Sequence, residues 1–283
     1  MNIEHVAVIG AGTMGHGIAH VAAGAGFKVA LYDIQQDFVD RGLKNITANL
    51  DKGIERGKTT PEQKAATLAN IRTTVDLSTA ARGAQLVIEA IPEKIELKQD
   101  LYARLEAICG KETIFGSNTS SLSIAKLAAV TKRPDRFIGM HFFNPVHIMK
   151  LLELVVADKT GPETLAVAQD VGARLGKDCI VVKDFPGFAT SRLGVCLGLE
   201  AIRMVEQGVA SPQDIDKALE LGYAHPMGPL KLTDVVGLDV RLNIADYLHK
   251  ELRSEVFKAP ELMRKMVAEN KLGKKSGQGF YKW

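Results

Sequence analysis

Residues 6–26 read VAVIGAGTMGHGIAHVAAGAG: an apolar run, then glycines at 10, 12 and 15, then a small-residue segment with helical spacing. The run has the continuous Val/Ile character of a strand covered on both faces, which points to a parallel sheet. Gly10 permits the tight turn out of the strand, Gly12 lets the main chain approach a pyrophosphate, and Gly15 lets helix and strand pack closely. The helix that follows opens with unpaired N–H groups and partial positive charge. Ala11, Thr13 and Met14 therefore join the three glycines as expected cofactor contacts. The next strand pattern, VALYD, ends in Asp33, 18 residues after Gly15, where a carboxylate bonds adenine-ribose hydroxyls and repels a 2′-phosphate. NAD is thus expected in preference to NADP. Methyltransferases also use a glycine loop with a ribose-binding acid, so this segment alone does not establish redox chemistry.

Short Val/Ile-rich runs alternate with longer helical patterns as far as residue 184: HVAVI, KVALYD, QLVIEAI, TIFGSN, RFIGMHFF, KLLELVV and CIVVKD. This βαβ rhythm predicts a Rossmann-like α/β domain, a mostly parallel sheet with helices on both faces, over residues 1–184. After Asp184 the pattern changes to helical stretches punctuated by Pro186 and Gly187, which predicts an all-α C-terminal domain over residues 185–283. Within it Ser211-Pro212 reads as an N-cap followed by proline at the first helical position, and Gly222 as the stop.

A chain of 283 residues with 46% hydrophobic and 24% charged content has material for two cores. Its net charge of +3, without a basic block or aromatic-interleaved stripe, gives no reason to expect nucleic acid. No apolar run approaches the roughly 20 residues needed to span a bilayer, so no membrane association is expected. Cys109, Cys179 and Cys196 are widely spaced and form no zinc or disulfide signature, and the start MNIEHVAVIG carries an acid where a signal peptide wants cations. A reducing cytoplasm is the expected setting. Two local basic groups, Lys44, Lys52, Arg56 and Lys58, and Lys271, Lys274 and Lys275, read either as solvated surface or as contacts for a polyanionic small molecule.

Three further strand patterns end in polar residues of functional type: VIEAIPEK at Glu93, FGSNTSS at Ser120, and FIGMHFFNP at His141 and Asn144. In a parallel doubly wound sheet the strand C-termini share one edge with the glycine loop, so these groups can converge on a nicotinamide. The run KLLELVV places Glu153 inside an apolar strand. A buried carboxylate needs a partner, and His141 at the end of the preceding strand is the nearest in sequence. Such a pair holds one imidazole tautomer and stabilises its protonated form, which suits a general base for a hydroxyl proton.

With GAGTMG, SNTSS, GMHFFNP, a Glu in KLLEL, PGF, HPMGP and the terminal GKKSGQGFYKW in that order, the chain resembles the L-3-hydroxyacyl-CoA dehydrogenase family, bacterial 3-hydroxybutyryl-CoA dehydrogenases included, over essentially its whole length. The resemblance implies NAD as cofactor, an acyl-CoA substrate, His141 as base, Glu153 as its orienting partner and no metal. It implies that Ser120 bonds the substrate oxygen and that Asn144 holds nicotinamide and substrate. Glu93, Lys98 and, from the tail, Lys275 would contact the nicotinamide half of the cofactor. Asn49 and Arg56 fall where the family binds coenzyme A. The helical domain would close over substrate and form a homodimer. One departure stands out: in PGFATSR, Ser191 occupies a position where the family commonly has Asn, so the substrate pocket should differ there. A sugar-acid dehydrogenase of gulonate type and a non-catalytic NAD-binding redox sensor are the competing readings, and the second has no use for the His141–Glu153 pair.

Overall fold

The computed structural model describes all 283 residues, in two compact units, Met1–Asp184 and Phe185–Trp283. In the first unit strands β1 (His5–Ile9), β2 (Lys28–Tyr32), β3 (Ile71–Thr74), β4 (Leu86–Glu89), β5 (Ile114–Ser117), β6 (Phe137–Phe142), β7 (Leu151–Val156) and β8 (Asp178–Lys183) form one sheet in the order β3-β2-β1-β4-β5-β6-β7-β8. Helices α1 (Thr13–Gly24), α2 (Gln36–Glu55), α3 (Pro61–Ala69), α4 (Leu77–Ala81), α5 (Ile95–Ile108), α6 (Ile124–Ala128) and α7 (Pro162–Arg174) connect them. All neighbours pair in parallel except β6 and β7. The order reverses between β1 and β4, and this switch point opens a crevice at the strand C-termini.

Sequence analysis misses β3, whose residues Ile-Arg-Thr-Thr carry no apolar run. This edge strand forms because its main chain pairs with β2 from Val29↔Ile71 to Tyr32↔Thr74. The interior strands behave as their sequences predict: Val8, Ile9, Leu31, Ile88, Phe115, Ile138 and Leu154 are at most 1% exposed. Each such side chain contributes roughly 1.5–3 kcal/mol relative to exposure, enough for the sheet to carry a few buried ionised groups at its edge.

Glycine is required at two positions of the first turn. Gly10 has φ +102°, and a Cβ there would lie 2.7 Å from the Ala90 carbonyl oxygen. A Cβ on Gly15 would lie 1.6 Å from the Gly10 carbonyl oxygen, so α1 can sit this close to β1 only with glycine facing it.

The second unit is helical: α8 (Thr190–Glu206), α9 (Pro212–Gly222), α10 (Pro229–Val236), α11 (Leu238–Leu252) and α12 (Glu261–Ala268). Ser211 caps α9, its hydroxyl accepting from the Asp214 N–H, and Pro212 follows at the first position. Val195, Leu199, Ile202, Leu230, Leu248 and Met263 form the core. Two buried acids organise it. Asp216 accepts from the Leu230 and Lys231 N–H groups at the start of α10. Asp234 accepts from the Phe280 and Tyr281 N–H groups and from the Trp283 indole, which ties down the C-terminal tail. No helix in the chain is long and apolar enough to cross a membrane.

Candidate active site

The crevice beside the glycine loop is a cleft of about 770 Å³ whose lining includes Gly10–Met14, Asp33, Ala90–Pro92 and side chains from α2 and α5. Its chemistry fits a dinucleotide. Gly12 is the N-cap of α1, no side chain caps that helix and no acid stands in its first turn, so the leading N–H groups face the cleft with positive partial charge. A Cβ on Gly12 would meet nothing within 4 Å, which leaves the main chain open to close approach. Asp33 lies one residue past β2, its carboxylate fixed by the Ala11 N–H at 2.7 Å and the Ile34 N–H at 2.7 Å. Those two bonds leave acceptor capacity for ribose hydroxyls.

From α2 the cleft takes Phe38, Arg41 and Asn45, and from α5 Arg104, none of which stands out in the sequence except as part of an amphipathic helix. Asn49, half-buried, is one turn beyond Asn45, and Arg56 is exposed just past the helix end; neither lines this cleft.

Across the switch point, the β4–α5 and β5–α6 loops are joined through carboxylates. β4 ends at Glu89, so Glu93 belongs to the loop beyond it. One oxygen of Glu93 accepts from the Thr119 hydroxyl at 2.6 Å, the Ser120 N–H at 2.8 Å and the Ser120 hydroxyl at 3.3 Å. Its other oxygen lies 3.2 Å from Lys98 Nζ. Burial pushes the Glu93 carboxyl up, but the Lys98 ammonium and the bonds from Thr119 and Ser120 outweigh it and hold the group below its ordinary value.

Lys98 is 1% exposed, with Nζ 2.5 Å from Glu89 and 3.2 Å from Glu93. The lysine works beneath the loop, because an ammonium inside the sheet edge is tolerable only between carboxylates. Sequence reasoning passes over Glu89, although an acid in the apolar run LVIEA carries the same signal as Glu153. Glu89 is fully buried, and besides Lys98 its carboxylate accepts from the Ile91 N–H, the Ser117 hydroxyl and the Tyr102 hydroxyl.

On β6, His141 is 7% exposed and stands directly opposite Glu153 of β7, which is fully buried. Antiparallel register brings the ring Nδ1 to 2.7 Å from the carboxylate. β7 lies between β6 and β8, so Glu153 is enclosed by strands on both sides. The ring of Phe143 packs at 4.4 Å from that of His141, and Asn144 follows, exposed. The Asn118 side-chain oxygen accepts from the Phe142 N–H at 2.8 Å, so the loop that carries Ser120 is stitched to the strand that carries His141.

In the second unit Ser191 sits in the first turn of α8, half-buried. Lys275 is ion-paired with Asp239 at 2.5 Å.

The model described as 3-hydroxyacyl-CoA dehydrogenase, NAD binding domain, matches residues 5–185, and that of the C-terminal domain of the same enzymes matches residues 187–283. The mitochondrial hydroxyacyl-coenzyme A dehydrogenase of Sus scrofa is 44% identical, covering 99% of this chain and 91% of its own. The 3-hydroxybutyryl-CoA dehydrogenase of Bradyrhizobium diazoefficiens is 42% identical, covering 99% and 95%. Among solved structures, (S)-3-hydroxybutyryl-CoA dehydrogenase PaaH1 of Ralstonia eutropha superposes with a TM-score of 0.96 at 41% identity, covering 100% of this chain and 99% of its own. Matched across both of its units, the chain belongs to the 3-hydroxyacyl-CoA dehydrogenase family.

Proposed function

We propose that this protein interconverts a short-chain (S)-3-hydroxyacyl-CoA, 3-hydroxybutyryl-CoA foremost, and its 3-ketoacyl-CoA, with NAD as hydride partner. The observation that carries the reading is the His141–Glu153 pair at the same sheet edge as the glycine loop. Bound along the crevice, the dinucleotide supplies a nicotinamide ring that takes up or returns hydride at the 3-carbon. The leading N–H groups of α1 hold its phosphates, and Asp33 holds its adenine ribose. The Glu153 carboxylate accepts the Nδ1–H of His141, so proton exchange with the 3-hydroxyl falls to Nε2. The carboxylate stabilises the imidazolium formed during oxidation, and that imidazolium protonates the developing alkoxide in reduction. Ser120, its hydroxyl turned from Glu93 to the substrate, donates a hydrogen bond to the same oxygen in both directions. Asn144 steadies nicotinamide and substrate, and Glu93 orders the Ser120 loop.

Asn49 and Arg56 serve coenzyme A, Lys275 serves the nicotinamide half of the cofactor, and Ser191 is a substrate-side hydroxyl. The protein acts as a homodimer through its helical unit, where Leu193 and Leu197, one turn apart on α8, expose apolar surface at 71% and 37%. Sedimentation should then give twice the chain mass. The deciding assay follows NADH absorbance with acetoacetyl-CoA: rapid oxidation of NADH, with the (S)-3-hydroxy thioester as product, supports the proposal. Absence of turnover with acyl-CoA but activity on a sugar acid would replace it.

A further inference from the structure

We propose that Glu89 is a positioning residue for the reaction: through Lys98 and Glu93 its buried carboxylate fixes the 119–121 loop that presents the Ser120 hydroxyl. The inference rests on the role given above to Ser120. Four donors converge on Glu89. On one oxygen are Lys98 Nζ at 2.5 Å and the Ile91 N–H at 2.8 Å; on the other are the Ser117 hydroxyl at 2.7 Å and the Tyr102 hydroxyl at 3.3 Å. A carboxylate with both oxygens occupied in this way has one orientation. Lys98 is therefore held in place from below, and its ammonium faces Glu93 at 3.2 Å. Glu93 then gathers the Thr119 hydroxyl and the Ser120 N–H on a single oxygen. The same carboxylate of Glu89 also accepts from the main-chain N–H of Ile91, a residue that lines the cleft.

A second ion pair, between half-buried Glu106 of α5 and buried Arg133, separates positioning from stability. Glu106 and Arg133 are bonded at 3.0 Å near the helix's other end and touch none of the groups above. Breaking either pair strips a buried ion of its partner, which destabilises the fold in both cases. Only the Glu89 pair is connected to the Ser120 loop.

The test compares Glu89→Gln, Glu93→Gln, their double variant and Glu106→Gln, measuring kcat, both KM values and Tm. Glu89→Gln should lower kcat about 10- to 100-fold, the scale of a misplaced reacting group, with each KM changed less than about threefold. Glu89→Gln/Glu93→Gln should be no slower than Glu93→Gln alone, since both lie on one chain of contacts. Glu106→Gln should lower Tm and leave kcat unchanged. Should Glu89→Gln prove too unstable to purify, Glu89→Gln/Lys98→Met removes both buried charges together, and its kcat should match that of Glu93→Gln. A Glu89 variant that loses Tm but keeps kcat, or losses that multiply in the double variant, would overturn the inference. Full rate in Ser120→Ala with an active wild-type enzyme would instead sink the role of Ser120 on which it stands.

Discussion

The two halves of the sheet's C-terminal edge are built from different materials. On the β1–β2 side the cleft is made of main chain, with glycines, helix N–H groups and one partly exposed carboxylate, Asp33. On the β4–β7 side it is made of buried ionisable side chains in contact: Glu89 with Lys98, and Glu153 with His141. The first arrangement needs no charge inside the sheet and sits in high dielectric. The second places its charges where an interaction is several-fold stronger and an unpaired group is costly. Side-chain changes should therefore act strongly in the second half and weakly in the first.

The largest effect is expected at His141. His141→Ala removes the group that exchanges the substrate proton and should lower kcat about 10²- to 10⁴-fold while NADH affinity changes little. Stopped-flow turnover with a parallel NADH titration measures both. A comparable loss of NADH affinity would mean that the two halves are not separable.

Next comes Glu153→Gln, which keeps the shape of the side chain and removes its charge. A hydrogen bond to a charged group is worth about 1.5–3 kcal/mol, so kcat should fall roughly 10- to 150-fold. An unchanged rate would show that the imidazolium needs no counter-charge and would remove the contrast between the halves.

The same contrast governs what is legible in the sequence. The glycine loop is readable because its requirement is local: a turn at positive φ and a close helix contact force glycine at fixed spacing. The contact between His141 and Glu153 is readable from alternation, since an acid inside KLLELVV must find a partner and the chain's return supplies one. Glu89 carries the same signal in LVIEA, but Glu93 four residues later fits a polar strand end and draws the eye from it. Strand β3 and the tail anchor Asp234 leave no local trace, because one is held by main-chain pairing and the other by the N–H groups of residues some 46 positions away. The burial of Lys98 is equally hidden, since a lysine on an amphipathic helix reads as exposed until its two carboxylates are placed.

One titratable group in the first half sharpens the comparison. His20 of α1 has an Nδ1 buried without a hydrogen-bond partner, and its ring stacks on that of His147 at 5.5 Å. Burial first, and then His147, His16 and Lys177, push its pKa down from 6.5 to about 4. Below pH 6.5 the unfolded chain takes up a proton at this site that the folded chain refuses, so its contribution is present above pH 6.5 and is lost as pH falls toward 4. The span corresponds to up to about 3 kcal/mol. The drop in Tm between pH 7 and pH 4.5 should be smaller in His20→Gln than in the wild type, while turnover at pH 7 stays close to wild type. Equal drops would show that the histidine protonates in the folded state without penalty.

The smallest effect is expected at Asp33, the one carboxylate in the main-chain half. Its oxygens are held by the Ala11 and Ile34 N–H groups, so it cannot swing away from a 2′-phosphate. Solvent reaches this position, however, and at high effective dielectric two charges a few ångströms apart interact by only about 1–2 kcal/mol. Asp33→Asn keeps the size and one acceptor oxygen, costs NADH about one hydrogen bond, and removes the repulsion from NADPH. The NADH-to-NADPH ratio of kcat/KM should therefore narrow by about tenfold, with most of the change on the NADPH side. Because the repulsion is Coulombic and partly exposed, raising ionic strength should narrow the wild-type ratio and leave that of Asp33→Asn nearly unchanged. Equal use of both cofactors by the wild type would show that this carboxylate does not face the ribose. A change of 10³-fold or more would show that the site is drier than its exposure indicates, and that the first half too works through buried charge.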